Sequence, residues 1–427
     1  MTKRVLIIGY VWPEPRSSAA GSRMLQLIEL FLQQNWQVTF GSAALFSDQR
    51  ADLTAQGVSE KTLALNCSSF NDFIAELQPD IVLFDRFFTE EQFGWRVEAA
   101  CPNALRILDT EDLHSLRHAR ELLVKAAQQK CTTEAEKYSL QLLADDNSAA
   151  INFMHTDATA LREIAAIFRC DLSLMISTRE IEFLQQYFSV PAELLFYCPL
   201  SANTLEQNLP AFNERKHFIS IGNFRHAPNW DAVLCLKHSI WPLIRTQLPR
   251  AELHIYGAYM PPKASALHNP KQGFYLRGWA EDARAVMAQA RVCLAPLRFG
   301  AGVKGKLLEA MSCATPNVTS PLGAEAMHGD QPWGGAITRD SQSFASAAVA
   351  LHEDQQAWEE AQVLSQAILQ RSFSGKLVQT GLIDKLNQLF KNLVQHRQQN
   401  FIGQMLRHHS HKSTQYMSQW IEAKNRL

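Results

Sequence analysis

Apolar positions in this chain follow two alternating patterns. Short, continuous, largely β-branched runs read as strands buried on both faces, the first at residues 5–9 (VLIIG). Between such runs, apolar residues recur every three or four places. Met24, Leu27, Ile28 and Phe31 within 22–34 have this spacing, which predicts an amphipathic helix. Further strands are predicted at 37–40, 80–84, 106–108 and 172–176, with a long helical region over about 114–168. The rhythm restarts with a strand at 217–221 and a helix to about 247, for which Asn229 is the expected cap. Strands follow at 252–256, 274–276, 292–295 and 317–319. Alternation of this kind dictates parallel sheets with helices on both faces.

A polar, Asn-rich stretch beginning at Ser201 (SANTLEQNLPAFNERK) is the expected linker. It divides the chain into α/β domains at 1–201 and 202–385, followed by a helical tail over 386–427. The length, 427 residues, suits about two domains of roughly 200 residues each. The tail places Phe401, Ile402, Met405 and Leu406 beside Arg407. Packing on the first domain, docking to a partner and peripheral contact with a membrane all fit that pattern.

Composition narrows the classes. A formal net charge of −1 argues against a chain built to coat nucleic acid. Eight scattered cysteines without a CxxC pair read as free thiols in a reducing compartment. The N-terminal apolar run is too short for a signal peptide, and no stretch approaches the ~20 apolar residues of a membrane helix. The expected location is the cytoplasm.

The chemistry concentrates in residues 291–327, RVCLAPLRFGAGVKGKLLEAMSCATPNVTSPLGAEAM. A strand ends at Pro296, a Gly-rich turn spans Gly300 to Gly305, and a helix begins near Lys306. Backbone N–H groups and a helix N-terminus then converge, which is how chains bind phosphate. Gly302 lets the backbone approach an anion, Lys304 and Lys306 add charge, and Glu309 lies about one turn inside, in reach of a ribose diol. The same string matches GxGxxG, but late in its domain, where a dinucleotide fingerprint does not belong. It also matches a P-loop until Leu307, which replaces the Ser or Thr that would hold magnesium. A tight turn with Glu309 merely solvated is the bland alternative.

These residues resemble the C-terminal signature of GT-B glycosyltransferases, in particular glycosyltransferase family 4, here as GAGVKGK, LLEAM, SCATP and NVTSPLGAE. The resemblance runs over roughly residues 3 to 345 and is strongest over 217–327. It implies two Rossmann-like domains with parallel sheets facing across a cleft, and transfer of a sugar from a nucleoside-diphosphate-sugar to a hydroxyl on a glycan, lipid-linked or protein acceptor. Surface glycan or glycoconjugate synthesis is the implied setting. The nucleotide-sugar is a substrate, so no cofactor is expected. Glu309 is implied to bind the donor ribose. Many family members carry a second Glu eight residues earlier, and here that position is Ala301. The replacement motivates a second reading, a non-catalytic relative that binds a nucleotide-sugar or glycan.

Other candidates lie at strand ends, where open α/β sheets bind ligands. In IGNFRH, Arg225 is the implied grip on the donor diphosphate, its fork suiting phosphate. Trp279 either borders the nucleobase or packs in the core. In the first domain, Gly21 and Arg23 stand in the small-residue loop PRSSAAGSR, which the resemblance turns toward the donor phosphates. The cluster DTEDLH supplies Asp109 as the catalytic group implied by position, with Asp112 and His114 as alternatives. Asp112 is equally placed to cap a helix. The chain has no Asp-x-Asp pair, so no metal is expected, and Arg, Lys and helix ends are left to stabilise charge.

Overall fold

The computed structural model describes residues 2–202 and 208–425. Its first sheet comprises β1 (Arg4–Gly9), β2 (Gln37–Ser42), β3 (Ser59–Thr62), β4 (Ile81–Asp85), β5 (Leu105–Glu111), β6 (Leu172–Met175) and β7 (Leu195–Tyr197). All pairings are parallel, in the order β3-β2-β1-β4-β5-β6-β7, with Val5 opposite both Val38 and Ile81. The helices are α1 (Ala19–Gln33), α2 (Ser69–Leu77), α3 (Phe87–Ala100), α4 (His114–Gln128), α5 (Glu134–Lys137), α6 (Asn147–Met154), α7 (Ala158–Arg169) and α8 (Thr178–Phe188).

Side chains alternate across each strand, so the runs feed two cores. Leu6, Ile8, Val82 and Phe84 bury against α2, α3, α4 and α7 on one face. On the other, Val5, Ile7, Ile81 and Leu83 meet Met24, Leu27, Ile28 and Phe31 of α1, as their spacing predicts.

The second sheet comprises β8 (His217–Ile221), β9 (Leu253–Tyr256), β10 (Phe274–Gly278), β11 (Ala290–Ala295), β12 (Asn317–Thr319) and β13 (Gly335–Ile337), again all parallel, ordered β10-β9-β8-β11-β12-β13. Its helices are α9 (Ala227–Cys235), α10 (Trp241–Gln247), α11 (Ala283–Gln289), α12 (Gly305–Ser312), α13 (Pro321–Ala324), α14 (Ser341–Glu353) and α15 (Gln355–Ser372). The chain ends in α16 (Gly375–Gln399), α17 (Phe401–Leu406) and α18 (Lys412–Asn425).

Three strands were not predicted from the sequence. β3, β7 and β13 are all sheet edges. β3 reads Ser-Glu-Lys-Thr and is mostly exposed. An edge strand pairs on one side only and carries charge without cost.

Two departures concern the chain path. The predicted helical region 114–168 is four helices, and the connection from α4 to α6 crosses into the second domain. Leu140 lies fully buried in that domain's core. Its N–H donates to Ser341 Oγ at 3.0 Å, and Arg298 donates to the carbonyls of Lys137 and Ser139. The first domain is therefore not confined to a single side of the molecule. At the other end, α16 begins ten residues before the expected limit at 385 and returns to the first domain, where Leu382, Leu386 and Leu389 join the α1 core. Residues 203–207 of the expected linker fall outside the described residues.

Candidate functional site between the two sheets

The carboxyl ends of the two sheets meet. β11 runs into the turn 300–305, whose backbone rests on the first domain. Gly302, at φ 63°, lies so close to the loop after β5 that a Cβ there would meet Asp112 Cβ at 2.8 Å. Its N–H donates to Glu180 Oε1 at 2.8 Å, and that same oxygen accepts from the Leu113 N–H. Arg120 donates to the Gly300 carbonyl at 2.8 Å and forks onto the Glu325 carboxylate. Ala301 is buried among first-domain side chains. A Glu at this position would push its carboxylate into an apolar cluster, so the replacement has a packing reason.

The turn therefore faces the gap between the domains, but its first half is already satisfied by protein. The Lys304 ammonium donates to the carbonyls of Ala301 and Gly302 at 2.9 and 2.6 Å. Burial lowers its pKa. As free phosphate donors, Gly302 and Lys304 are corrected: both serve to clasp the turn.

The second half carries the helix start. α12 starts at Gly305, where a Cβ would lie 2.5 Å from Ala19 Cβ at the start of α1. The first turns of two helices, one per domain, thus converge. Lys306 Nζ donates to Asn229 Oδ1 at 2.7 Å. Burial lowers the Lys306 pKa to about 8. Glu309 stands half-buried one turn on, its carboxyl raised by burial. Asn229 is not the helix cap expected. It lies inside α9 and donates to the Asn223 carbonyl, which fixes its oxygen toward Lys306. Gly222 makes room for it, since a Cβ there would sit 2.6 Å from Asn229 Cγ.

Arg225 is exposed, with its guanidinium 3.7 Å from the centre of the Tyr259 ring. The Tyr259 hydroxyl donates to Glu14, in the loop after β1, at 2.9 Å. Arg225 therefore stands at the rim of the gap beside a cross-domain contact. Trp279 follows β10, 41% exposed. That placement removes the core-packing alternative.

In the first domain, Gly21 sits in the first turn of α1, where a Cβ would strike the Glu14 backbone at 2.4 Å. It permits close packing of that loop and offers nothing to a ligand. Arg23 and Asp109 are corrected together. Both are fully buried, and Arg23 forks onto Asp109 at 2.8 and 3.0 Å while donating to the Cys198 carbonyl at 2.6 Å. A carboxylate enclosed and paired in this way cannot reach a sugar hydroxyl. Asp112 and His114 remain at the gap. Asp112 pairs with Arg117 and lies 3.6 Å from His114 Nε2. The Asp112 carboxyl is strongly lowered, with Arg117 and His114 outweighing burial. Burial lowers His114 to about 4, leaving a neutral imidazole at neutral pH. Asp112 caps no helix, since α4 has no side-chain cap.

Several residues here carried no local motif: Glu14, Glu180, Arg117, Arg120 and Asn229. Their roles come from contacts across more than a hundred positions for Glu180 and Arg120, which no short spacing encodes. Among the described residues, no group of three or more His, Cys, Asp or Glu is arranged to hold a metal. All eight cysteines are free. No described helix is long and apolar enough to cross a membrane.

Two parallel α/β domains whose carboxyl ends meet across a gap, with a Gly-rich turn opening a helix there, make up the GT-B fold. Residues 215–354, within the second domain, match the family model described as Glycosyl transferases group 1. Solved structures agree on the fold. Sucrose-phosphate synthase from Thermosynechococcus elongatus superposes with a TM-score of 0.64 at 14% identity, covering 91% of this chain and 99% of that one. HepE from Anabaena, in complex with UDP and glucose, gives 0.61 at 14% identity, covering 90% and 99%. The lipopolysaccharide outer core galactosyltransferase WaaB gives 0.55 at 14% identity, again covering 90% and 99%. No sequence among curated proteins matches this chain.

Proposed function

We propose that this chain transfers a sugar from a nucleoside-diphosphate-sugar to an acceptor hydroxyl without a metal. The observation that carries the reading is the start of α12, where Lys306 is held by Asn229 beside a helix N-terminus that faces the other domain. A diphosphate there meets the helix dipole, the Lys306 ammonium and, at the rim, Arg225. Glu309 is set to accept from the ribose. As the bond to the anomeric carbon breaks, the nucleoside diphosphate leaves with the electron pair, and these cations stabilise its charge. The match to group 1 glycosyl transferases and the UDP in the HepE complexes support a nucleotide donor. The free cysteines accord with work in the cytoplasm, on an acceptor bound for surface glycan.

A thermal-shift screen with UDP, GDP, ADP and CMP tests the reading, because a ligand that binds only the native state raises Tm. One nucleoside diphosphate should stabilise the protein, and Lys306→Met and Glu309→Ala should each abolish most of that shift. No response to any of the four would overturn it. Binding without turnover is the second reading, favoured by the buried Ala301 and the clasped turn. Release of nucleoside diphosphate from a stabilising donor in the presence of acceptor separates the two.

A further inference from the structure

The last two helices carry their polar side inward and their apolar side outward. α17 and α18 follow one another through a wider π turn at Arg407–His411. The side they press on the first domain is small or polar. Gly403 packs so closely that a Cβ there would meet the Phe168 carbonyl at 2.1 Å. Arg407 donates to the Arg169 carbonyl at 3.1 Å, His411 meets Glu98 at 2.6 Å, and Ser418 accepts from Arg96 at 3.0 Å. Glu422 accepts from the Ser68 N–H and hydroxyl at 3.1 and 2.6 Å. On the opposite side Phe401 is 70% exposed and Trp420 59%, with Ile402, Met405, Tyr416 and Met417 exposed as well.

A helix on a globular domain ordinarily buries its apolar stripe. Rotating these helices by half a turn would cover the apolar side chains, but it would take Arg407 and His411 away from Glu98 and Glu90. The ionic contacts therefore hold the apolar side in water. Packing on the first domain uses Leu406 and Arg407 and leaves Phe401, Ile402 and Met405 free. Exposed apolar surface on this scale marks an interaction site.

Spacing and charge select the partner. Phe401, Met405, His408, Lys412, Tyr416, Trp420 and Lys424 succeed one another in steps of three or four. They form one stripe along roughly 35 Å of helix. Residues 386–427 hold six Lys or Arg and one acidic side chain, Glu422, which is turned inward onto Ser68. The whole chain has a formal charge of −1, so the tail is basic and the body carries the opposite sign. The Lys424 ammonium stands 5.3 Å from the centre of the Trp420 ring. Trp and Tyr rings settle at the level of lipid headgroups, and a neighbouring Lys reaches the phosphates. A second copy seated on the same stripe would set like charges against each other. An anionic bilayer meets both the rings and the cations along the full length of the stripe.

From this inversion we propose that the outward side of α17 and α18 docks the protein on an anionic lipid surface. Phe401, Met405, Tyr416 and Trp420 enter the interface, while Lys412 and Lys424 pair with lipid phosphates. The proposal stands apart from the donor site.

Co-sedimentation tests it. The full-length protein is titrated with vesicles of phosphatidylcholine alone or mixed equally with phosphatidylglycerol. It should partition onto the mixed vesicles and far less onto phosphatidylcholine. Trp420→Ser and Phe401→Ser should each weaken partition about tenfold, the scale of one large side chain left in water. Lys412→Gln and Lys424→Gln should each weaken it about fivefold, and added salt should act in the same direction. All four side chains are exposed, so Tm and any nucleotide response should match the parent. Val363→Ser, at an exposed apolar position of α15, should bind as the parent does. Absence of binding to both vesicles, equal binding to both, or binding indifferent to Trp420 and Lys412 overturns the proposal. So does a loss in Val363→Ser equal to that in Trp420→Ser. Self-association, or capture of polyglutamate, without vesicle binding gives the stripe to a second copy or an acidic protein and overturns it as well.

Discussion

At the residue scale, identical side-chain types perform opposite tasks according to what surrounds them. Asp109 and Asp112 lie three residues apart, yet Asp109 is sealed against Arg23 while Asp112 borders the gap. Removing the Asp109 charge leaves Arg23 buried without compensation, and such a loss costs about 3–5 kcal/mol. Asp109→Asn should therefore lower the unfolding free energy from denaturant titration by that amount, while protein that remains folded still responds to nucleotide. A selective loss of turnover at unchanged stability would contradict this. Lys306 gives a pH signature. Its lowered pKa, about 8 from burial, means that the ammonium is present below pH 8 and titrates away above it. Nucleotide affinity should fall as pH rises from 7 to 9, measured by titration calorimetry, and the fall should vanish in Lys306→Arg.

At the element scale, the βα rhythm was legible because each buried strand must be a continuous apolar run. Three of the four edge strands were missed, and β3 shows why, since an exposed edge has no such demand. In the site, the turn 300–305 and the α12 start were readable from glycines and lysines adjacent in sequence. Which of them clasp and which stay open depended on Glu180 and Arg120, far away in the chain. The tail helices show the same limit. His411, between α17 and α18, sits in a buried network. It contacts Glu98 at 2.6 Å and Glu90 at 3.4 Å, and Glu90 pairs with Arg169. Those carboxylates raise the His411 pKa against burial. The sign follows directly. A raised imidazole pKa contributes stability that is complete below about 6.5 and is lost as pH rises through the folded value. Glu90 and Glu98, both lowered, contribute the opposite way and fail in acid. Hydrogen exchange in α17 and α18 should thus accelerate, relative to β1, as pH rises above about 6.5, and His411→Gln should remove that dependence.

At the scale of the whole molecule, the domains interlock more than their sheets suggest. The loop from α4 to α6 seats Leu140 in the second domain, and α16 carries Leu386 back into the first. Leu140→Ala should cost about 2–5 kcal/mol, as for any buried Leu, although the residue lies in the N-terminal half by sequence. Hydrogen exchange should show the loss in β8 and β9, not in β1. Glu180 adds a further clasp. Burial holds its carboxyl near pKa 8, so this contribution is complete below the usual carboxylate range and declines as pH rises through 8.

A chimera makes the consequence concrete. Splicing residues 1–201 onto the second half of another transferase would strand a leucine without its socket and strip the α1 side of the first sheet of the α16 leucines that complete its core. Recombination that respects this molecule must move the α4–α6 connection with the distal half and α16 onward with the proximal one. Its natural seams lie in space, not along the chain.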